Sequence, residues 1–182
     1  MLEERRAIRA LLETLTPEQW ATPSLCAEWT VRDLVAHLVA WDDLIIYRNA
    51  REHRRALVRF MWLYAVSFAS MRRLNRRLNA PLDGVPVAEL LRRFGAEDDP
   101  GLRWLFDGSN PGAHYAEYVI HHEDIRRPLG LAREVPADRV AAAIEGARRL
   151  PGVRLHARRR RPQDGAPSLD DLLVAGGRAG YT

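Results

Sequence analysis

The chain of 182 residues carries a formal net charge of +4 and a single cysteine, Cys26. This length fits one domain, or one domain with a tail, and is enough to bury a core that needs no disulfides. All 28 basic residues are arginine and most of them are interleaved with acidic residues, so the charge gives only weak support for a nucleic-acid partner.

The N-terminus and the single cysteine indicate the cellular compartment. The charged first residues predict no signal peptide, and the chain has no run of about 18 uncharged apolar residues to span a membrane. Cys26 has no second cysteine to pair with, which suits a reducing environment. We therefore expect a cytoplasmic protein without a membrane partner.

Apolar residues recur at helical spacing through most of the first 150 positions. Thr16 and Thr30 are predicted N-caps, and Asp33 occupies the capping-box position of the second. A long stretch over 51–78 has an apolar stripe opposite an arginine-rich face, whereas 95–112 is predicted to be a loop. A capped short turn is predicted at 16–19, and the other predicted helices cover residues 2–15, 30–45, 87–94, 113–127 and 136–150.

The absence of an alternating strand pattern before residue 150 predicts an all-α fold. We expect an antiparallel four-helix bundle with extra short helices. After residue 150 the composition changes to arginine, glycine, proline and aspartate, with one short helix capped by Ser168. The predicted organisation is a helical domain over 1–150 and a partly irregular Arg/Gly-rich tail over 151–182.

The residues that could bind a metal are concentrated between His114 and Asp124. On a helix Glu117 and His121 stack one turn apart, and Asp124 falls on the same face. A carboxylate and an imidazole suit a divalent transition ion, but a tight site needs a third ligand from another helix. His37 is the best supplier, because it lies on the apolar side of its helix, where an unpartnered imidazole is costly to bury.

Structural interpretations compete with this metal site. His37 alone is more typical of a hydrogen-bonded core histidine, and Glu117 with His121 is compatible with a surface pair worth a few tenths of a kcal/mol. The segment around them is also compatible with a solvated helix end. On the residues alone, the metal and structural interpretations are equally supported.

Two segments resemble a known family. SLCAEWTVRDLVAHL at 24–38 and EYVIHHEDIRRP at 117–128 are similar to the two signature stretches of the mycothiol-dependent maleylpyruvate isomerase N-terminal family. That family belongs to the DinB-like metal-binding four-helix bundles, and the second segment most resembles an uncharacterised actinobacterial branch described simply as metal-binding. The tail departs from these relatives, which continue into a Val-rich α/β segment.

The resemblance implies a ligand set. The histidine that closes the Trp-Thr-Val-Arg-Asp helix corresponds to His37, and the later Glu-x-x-x-His pair corresponds to Glu117 and His121. A zinc-type ion with water in the open position is implied, although this donor set also accepts Ni²⁺, Co²⁺ or Fe²⁺. His114 is outside the family pattern and is expected to be a neighbour of the site.

The resemblance also implies a function, a mycothiol-dependent or other small-thiol-dependent isomerase or transferase. The alternative is a non-catalytic, metal-stabilised bundle that acts through homodimerisation, for which the arginine-faced helix and Trp62 provide a surface. A third hypothesis, nucleic-acid binding through Arg154 and the arginines at 158–161, is disfavoured because no aromatic residues for base stacking lie nearby.

Overall fold

The computed structural model describes residues 2–45, 49–95, 111–148 and 168–178. Over these ranges the chain is helical and contains no strand, which confirms the predicted all-α class. None of the described helices is long and apolar enough to cross a bilayer. The helices are α1 (Leu2–Leu12), α2 (Pro17–Trp20), α3 (Val31–Ile45), α4 (Ala50–Val66), α5 (Met71–Asn79), α6 (Val87–Phe94), α7 (Pro111–Arg126), α8 (Ala137–Ala147) and α9 (Leu169–Ala175), with a 3-10 turn at Ala80–Leu82.

Several predictions of the sequence fall outside those ranges or stay untested. Most of the predicted loop at 95–112 and the arginine cluster at 154–161 lie outside the described residues. The antiparallel four-helix topology and the domain boundary at residue 150 remain predictions. Helix α9 packs against α7 and α8, so this part of the predicted tail contributes to a core.

Side-chain caps fix where the helices begin. Thr16 Oγ1 accepts a hydrogen bond from the Gln19 backbone N–H at 3.3 Å, and the Thr16 backbone N–H donates one to Gln19 Oε1 at 2.9 Å. At the start of α3, Asp33 Oδ2 accepts from the Thr30 backbone N–H at 3.0 Å and from the Thr30 hydroxyl at 2.7 Å. Ser168 begins α9 with the same kind of capping box. These caps are as predicted.

The predicted stretch over 51–78 is two helices rather than one. Phe68 and Ala69 adopt left-handed conformations, each with φ of 52°, and Ser70 then caps α5. Within α4 no residue of the predicted apolar stripe is buried, whereas Leu74 of the same stripe, on α5, is fully buried. Phe60 is only half-buried, on the side of α4 that faces Trp41, and most of the remaining apolar side chains point to solvent.

The chain forms two compact units. The first comprises residues 1–8, 22–29 and 110–182, and the second comprises residues 9–21 and 30–109. In the second, α3 is the central helix and packs against α4, α5 and α6. The core of the first unit lies between α7, α8 and α9 and contains Leu25, Ala116, Val119, Ile120, Ala143, Ala147, Leu172 and Leu173.

Candidate metal centre

Helix α7 carries the residues for which metal chemistry is predicted. It ends two residues before Pro128, and Gly130, with φ of 67°, turns the chain away from the helix axis. Ala116, Val119 and Ile120 lie on its apolar side and pack into the core of the first unit. That packing fixes the rotation of the helix, and so the direction of the polar side chains between them.

Glu117 and His121 meet on one face of α7. The Glu117 Oε2 atom lies 3.2 Å from the His121 Nε2 atom, which confirms the predicted one-turn spacing. The His121 side chain is only 6% exposed, whereas the Glu117 side chain is 42% exposed. The pair is therefore open to solvent on the carboxylate side, where a ligand has access.

Asp124 holds the other nitrogen of the same imidazole. His121 Nδ1 lies 2.9 Å from Asp124 Oδ2, and the Asp124 side chain is fully buried. Burial opposes the charged imidazolium, but hydrogen bonds to Asp124, Cys26 and Glu117 outweigh it and raise the pKa of His121 well above its ordinary value. When the imidazole is neutral, Asp124 favours the proton on Nδ1 and leaves Nε2 as the free donor atom.

A cysteine and an arginine complete the cluster around Asp124. The Cys26 thiol donates to Asp124 Oδ2 at 3.2 Å, and the Arg178 guanidinium donates to both carboxylate oxygens at 2.6 and 3.1 Å. Arg178 Nη2 also lies 3.2 Å from Cys26 Sγ. Burial alone would raise the pKa of Asp124, but His121 and Arg178 outweigh it and hold that pKa below its ordinary value.

Two groups of donor atoms therefore share His121. One is Glu117 with His121 Nε2, and the other is Cys26, Asp124 and His121, whose ligand atoms all lie within 4.8 Å of one another. In a tetrahedral site with bonds of about 2.0–2.2 Å, two donors lie roughly 3.3 Å apart, which matches the Glu117 pair. The second group already binds the cation of Arg178, which an ion would have to displace. Among the described residues the second group brings three donor atoms together, whereas the Glu117 side supplies two and needs a further ligand.

The third predicted ligand lies in the other compact unit. His37 is on α3, buried among the apolar residues of that helix as predicted. Its ring packs edge-on against Trp41, with the ring centroids 6.2 Å apart. The partnership of His37 with Glu117 and His121 remains a prediction.

His114 lies half-buried one turn before Glu117. Burial lowers its pKa, and the nearby charge of Glu117 opposes that shift in part. His114 is therefore a neighbour of the site, near enough to sense the Glu117 carboxylate and more readily neutral than an exposed histidine.

The opposite side of α7 carries a buried ionic network. His122 Nδ1 lies 2.7 Å from Glu4 Oε1, and Arg133 forms ion pairs of 2.7 Å with both Glu4 and Glu123. His122 and Glu123 are buried, as are His121 and Asp124. The interpretation of this segment as a solvated helix end is therefore wrong, because partners from α1 and from the segment after α7 compensate the buried charges.

Sequence reasoning missed two members of the cluster. From the sequence Cys26 stands out only as an unpaired thiol, although it lies inside the first family-like segment at 24–38. Arg178 lies in the predicted tail, where neither periodicity nor a motif marks it. The hydrogen bond from the Leu25 backbone N–H to the Asp124 carbonyl, 3.1 Å long, places the 22–29 loop beside α7. No local pattern in the sequence shows that long-range contact.

The fold and this cluster define an all-helical protein with a histidine–carboxylate group suited to a metal. The family described as the mycothiol maleylpyruvate isomerase N-terminal domain matches residues 1–126, and the chain belongs to that family. The match spans His37, Glu117 and His121. No curated protein and no solved structure is significantly similar to the chain.

Proposed function

We propose that the chain binds one divalent metal ion through His37, Glu117 and His121 and uses it in a thiol-dependent isomerisation or transfer. The observation that supports this most is the position of His121, with Nε2 beside Glu117 and Nδ1 held by Asp124. Histidines that bind metal typically have their second nitrogen fixed by a carboxylate in this way. The family, whose name contains mycothiol, supports that thiol as the co-substrate.

The donor set of two nitrogens and one carboxylate oxygen suits Zn²⁺ best and also accepts Ni²⁺, Co²⁺ or Fe²⁺. An ion bound by three protein ligands, with one position open, lowers the pKa of a coordinated thiol or water to near neutrality. A thiol co-substrate and an unpaired Cys26 both suit the reducing cytoplasm.

The chain's own residues take supporting roles in this proposal. Glu117 is a ligand rather than a general base, and Asp124 orients His121. Arg178 keeps Asp124 ionised, since its charge helps to hold the pKa of that carboxyl below the ordinary value. We infer that His114, which burial favours in its neutral form, accepts a proton near Glu117.

The test combines metal analysis with an activity assay on the full chain. Purified protein is analysed for bound metal, and mycothiol consumption and maleylpyruvate isomerisation are followed before and after chelation. We expect one ion per chain and activity that disappears with the ion and returns when it is restored. Unchanged activity in the metal-free protein would contradict the proposed role of the metal.

The alternative function, a non-catalytic bundle that acts through homodimerisation, predicts different results. A metal that only stabilises a homodimer predicts a large drop in melting temperature on chelation, dissociation of the dimer, and no thiol-linked activity in the loaded protein. The exposed apolar residues of α4 are the observation in its favour. Sedimentation of loaded and chelated protein, beside the activity assay, separates the two functions.

A further inference from the structure

The exposed apolar residues are concentrated in one part of the second unit. Every large hydrophobic side chain that is exposed in the described residues lies between positions 57 and 71, and α4 contains no buried residue. Phe68 is 79% exposed and Trp62 is 61% exposed. Exposed apolar side chains concentrated in this way often mark an interaction site. The set is Leu57, Val58, Met61, Trp62, Phe68 and Met71.

The same two helices carry a dense positive charge. Over α4 and α5 there are eight arginines and one acidic residue, Glu52, which leaves seven positive charges in excess. Among the residues that the structure describes, Arg51, Arg54 and Arg55 have no ion-pair partner. The arginines are Arg51, Arg54, Arg55, Arg59, Arg72, Arg73, Arg76 and Arg77.

Charge and apolar surface are interleaved at one point of α4. A shallow depression of about 430 Å³ is lined by Arg54, Arg55, Val58, Arg59 and Trp62. Guanidinium groups bind phosphate oxygens, and a tryptophan prefers the boundary between polar headgroups and acyl chains. The depression therefore offers both kinds of contact that one phospholipid presents.

A second aromatic residue stands at the C-terminal end of α4. Phe68 is the most exposed large apolar residue in the described ranges, and its φ of 52° lies in the left-handed region. The Arg73 guanidinium lies over its ring, 5.4 Å from the centroid. An arginine and an apolar ring therefore also lie together at the start of α5. The surface on which arginines alternate with apolar side chains extends from α4 onto α5.

Charge decides among the partners that could cover this face. A second copy of the chain would bring two arginine-rich surfaces together with one glutamate on each, so like charges would oppose the contact. An acidic peptide would satisfy the arginines but would offer no apolar phase to the exposed Trp62 and Phe68. A fluid anionic surface satisfies the arginines and the apolar side chains independently of one another.

We propose that the face formed by α4 and α5 docks reversibly on anionic lipid bilayers. Arg54, Arg55 and Arg59 bind headgroup phosphates, while Trp62 and Phe68 enter the boundary between headgroups and acyl chains. Such peripheral binding requires no membrane-spanning helix, but it replaces the expectation from the sequence that the chain has no membrane partner. Of the proposed metal ligands, Glu117 and His121 on α7 belong to the other unit, whereas His37 lies on α3, which packs against α4 and α5.

The test is co-sedimentation of the full chain with vesicles. Phosphatidylcholine vesicles are compared with vesicles that contain about one-third phosphatidylglycerol, at low and high salt. We expect binding only to the anionic vesicles and its loss at high salt. Because each arginine near such a surface is worth about a fivefold change in partitioning, Arg54→Gln with Arg55→Gln should weaken binding about 25-fold.

Matched variants test whether vesicle binding depends on this face or only on the net charge of the chain. Arg139→Gln with Arg148→Gln removes the same charge from exposed positions outside α4 and α5 and should leave binding within about threefold of wild type. Trp62→Ala should weaken binding without any change in charge. Circular dichroism checks that each variant folds, which the lack of buried residues in α4 favours.

Four results would overturn the proposal. One is absence of binding to the anionic vesicles, and another is an equal loss in the Arg139/Arg148 control. The third is a wild-type dimer in sedimentation that Arg54→Gln with Arg55→Gln converts to monomer, which would assign the face to a second copy of the chain. Binding to a polyglutamate peptide as tight as binding to the vesicles would also contradict a lipid partner.

Discussion

The Nδ1 atom of His121 lies 2.9 Å from the Oδ2 atom of the fully buried Asp124, one turn further along α7. Arg178 binds the same carboxylate from the C-terminal segment. The carboxylate thus connects the predicted metal ligand to a cation about fifty residues away in the chain. We infer that Asp124 is a positioning residue for His121.

Asp124→Asn should weaken metal binding about 10- to 100-fold without removing a ligand, because the amide loses the charge that fixes the His121 tautomer. Zn²⁺ titration against a competing chelator measures this affinity. Glu123→Gln is the matched control, since Glu123 is also a buried carboxylate of α7 but pairs with Arg127 and Arg133. Equal losses in both variants would indicate a general effect of the buried charge.

Cys26→Ser should leave metal stoichiometry at one ion per chain. The serine hydroxyl keeps a hydrogen-bond donor beside Asp124, and the proposed ligands are on the Glu117 side of His121. The same Zn²⁺ titration checks this. Loss of stoichiometric binding would instead place the ion among Cys26, His121 and Asp124, the second group of donors.

Glu4→Gln should reduce stability at neutral pH and lose that effect in acid. Burial disfavours the charged carboxylate, but His122 and Arg133 outweigh it and lower the pKa of Glu4 from 4.5 to about 2. A lowered pKa stabilises the folded state above the unfolded value, and this contribution, about 3 kcal/mol at most, is lost as the pH falls through about 4.5 towards 2.

Urea unfolding of wild type and Glu4→Gln over a series of pH values measures the difference. We expect it to be largest near neutrality and to shrink steadily below about pH 4.5. Glu3→Gln, at an exposed position paired with Arg139, should change stability by no more than about 0.5 kcal/mol at any pH. A pH-independent difference for Glu4→Gln would contradict the ionic role of Glu4.

Gly146→Ala should destabilise the first unit. A Cβ atom at Gly146 would lie 1.8 Å from the Gly112 carbonyl oxygen, and a backbone atom in a packed helix cannot move aside cheaply. We expect a loss of about 1–3 kcal/mol, measured by thermal or urea unfolding. Glu145→Ala, at the exposed neighbouring position, should stay within about 0.5 kcal/mol of wild type.

Local signals in the sequence predicted much of the helical structure. The capping boxes at Thr16, Thr30 and Ser168 fix three helix starts, because each uses only residues within one turn. The Glu117–His121 pair is predictable for the same reason, since a four-residue spacing on a helix sets the distance.

Long-range contacts and burial could not be predicted from the sequence. Arg178 reaches Asp124 across 54 positions and Cys26 reaches it across 98, and no periodic pattern records such a pairing. Periodicity placed the apolar residues of α4 on a stripe but did not show whether another element covers them. The left-handed residues Phe68 and Ala69, neither of them glycine, also gave no turn signal.

The most direct test of the proposed metal site is the metal content of the full chain and of three single variants. Wild type should bind one ion per chain, whereas His37→Ala, Glu117→Ala and His121→Ala should each lose stoichiometric binding. Circular dichroism should show that they remain helical. Stoichiometric binding of unchanged affinity in a folded His37→Ala or Glu117→Ala variant would contradict the proposed site.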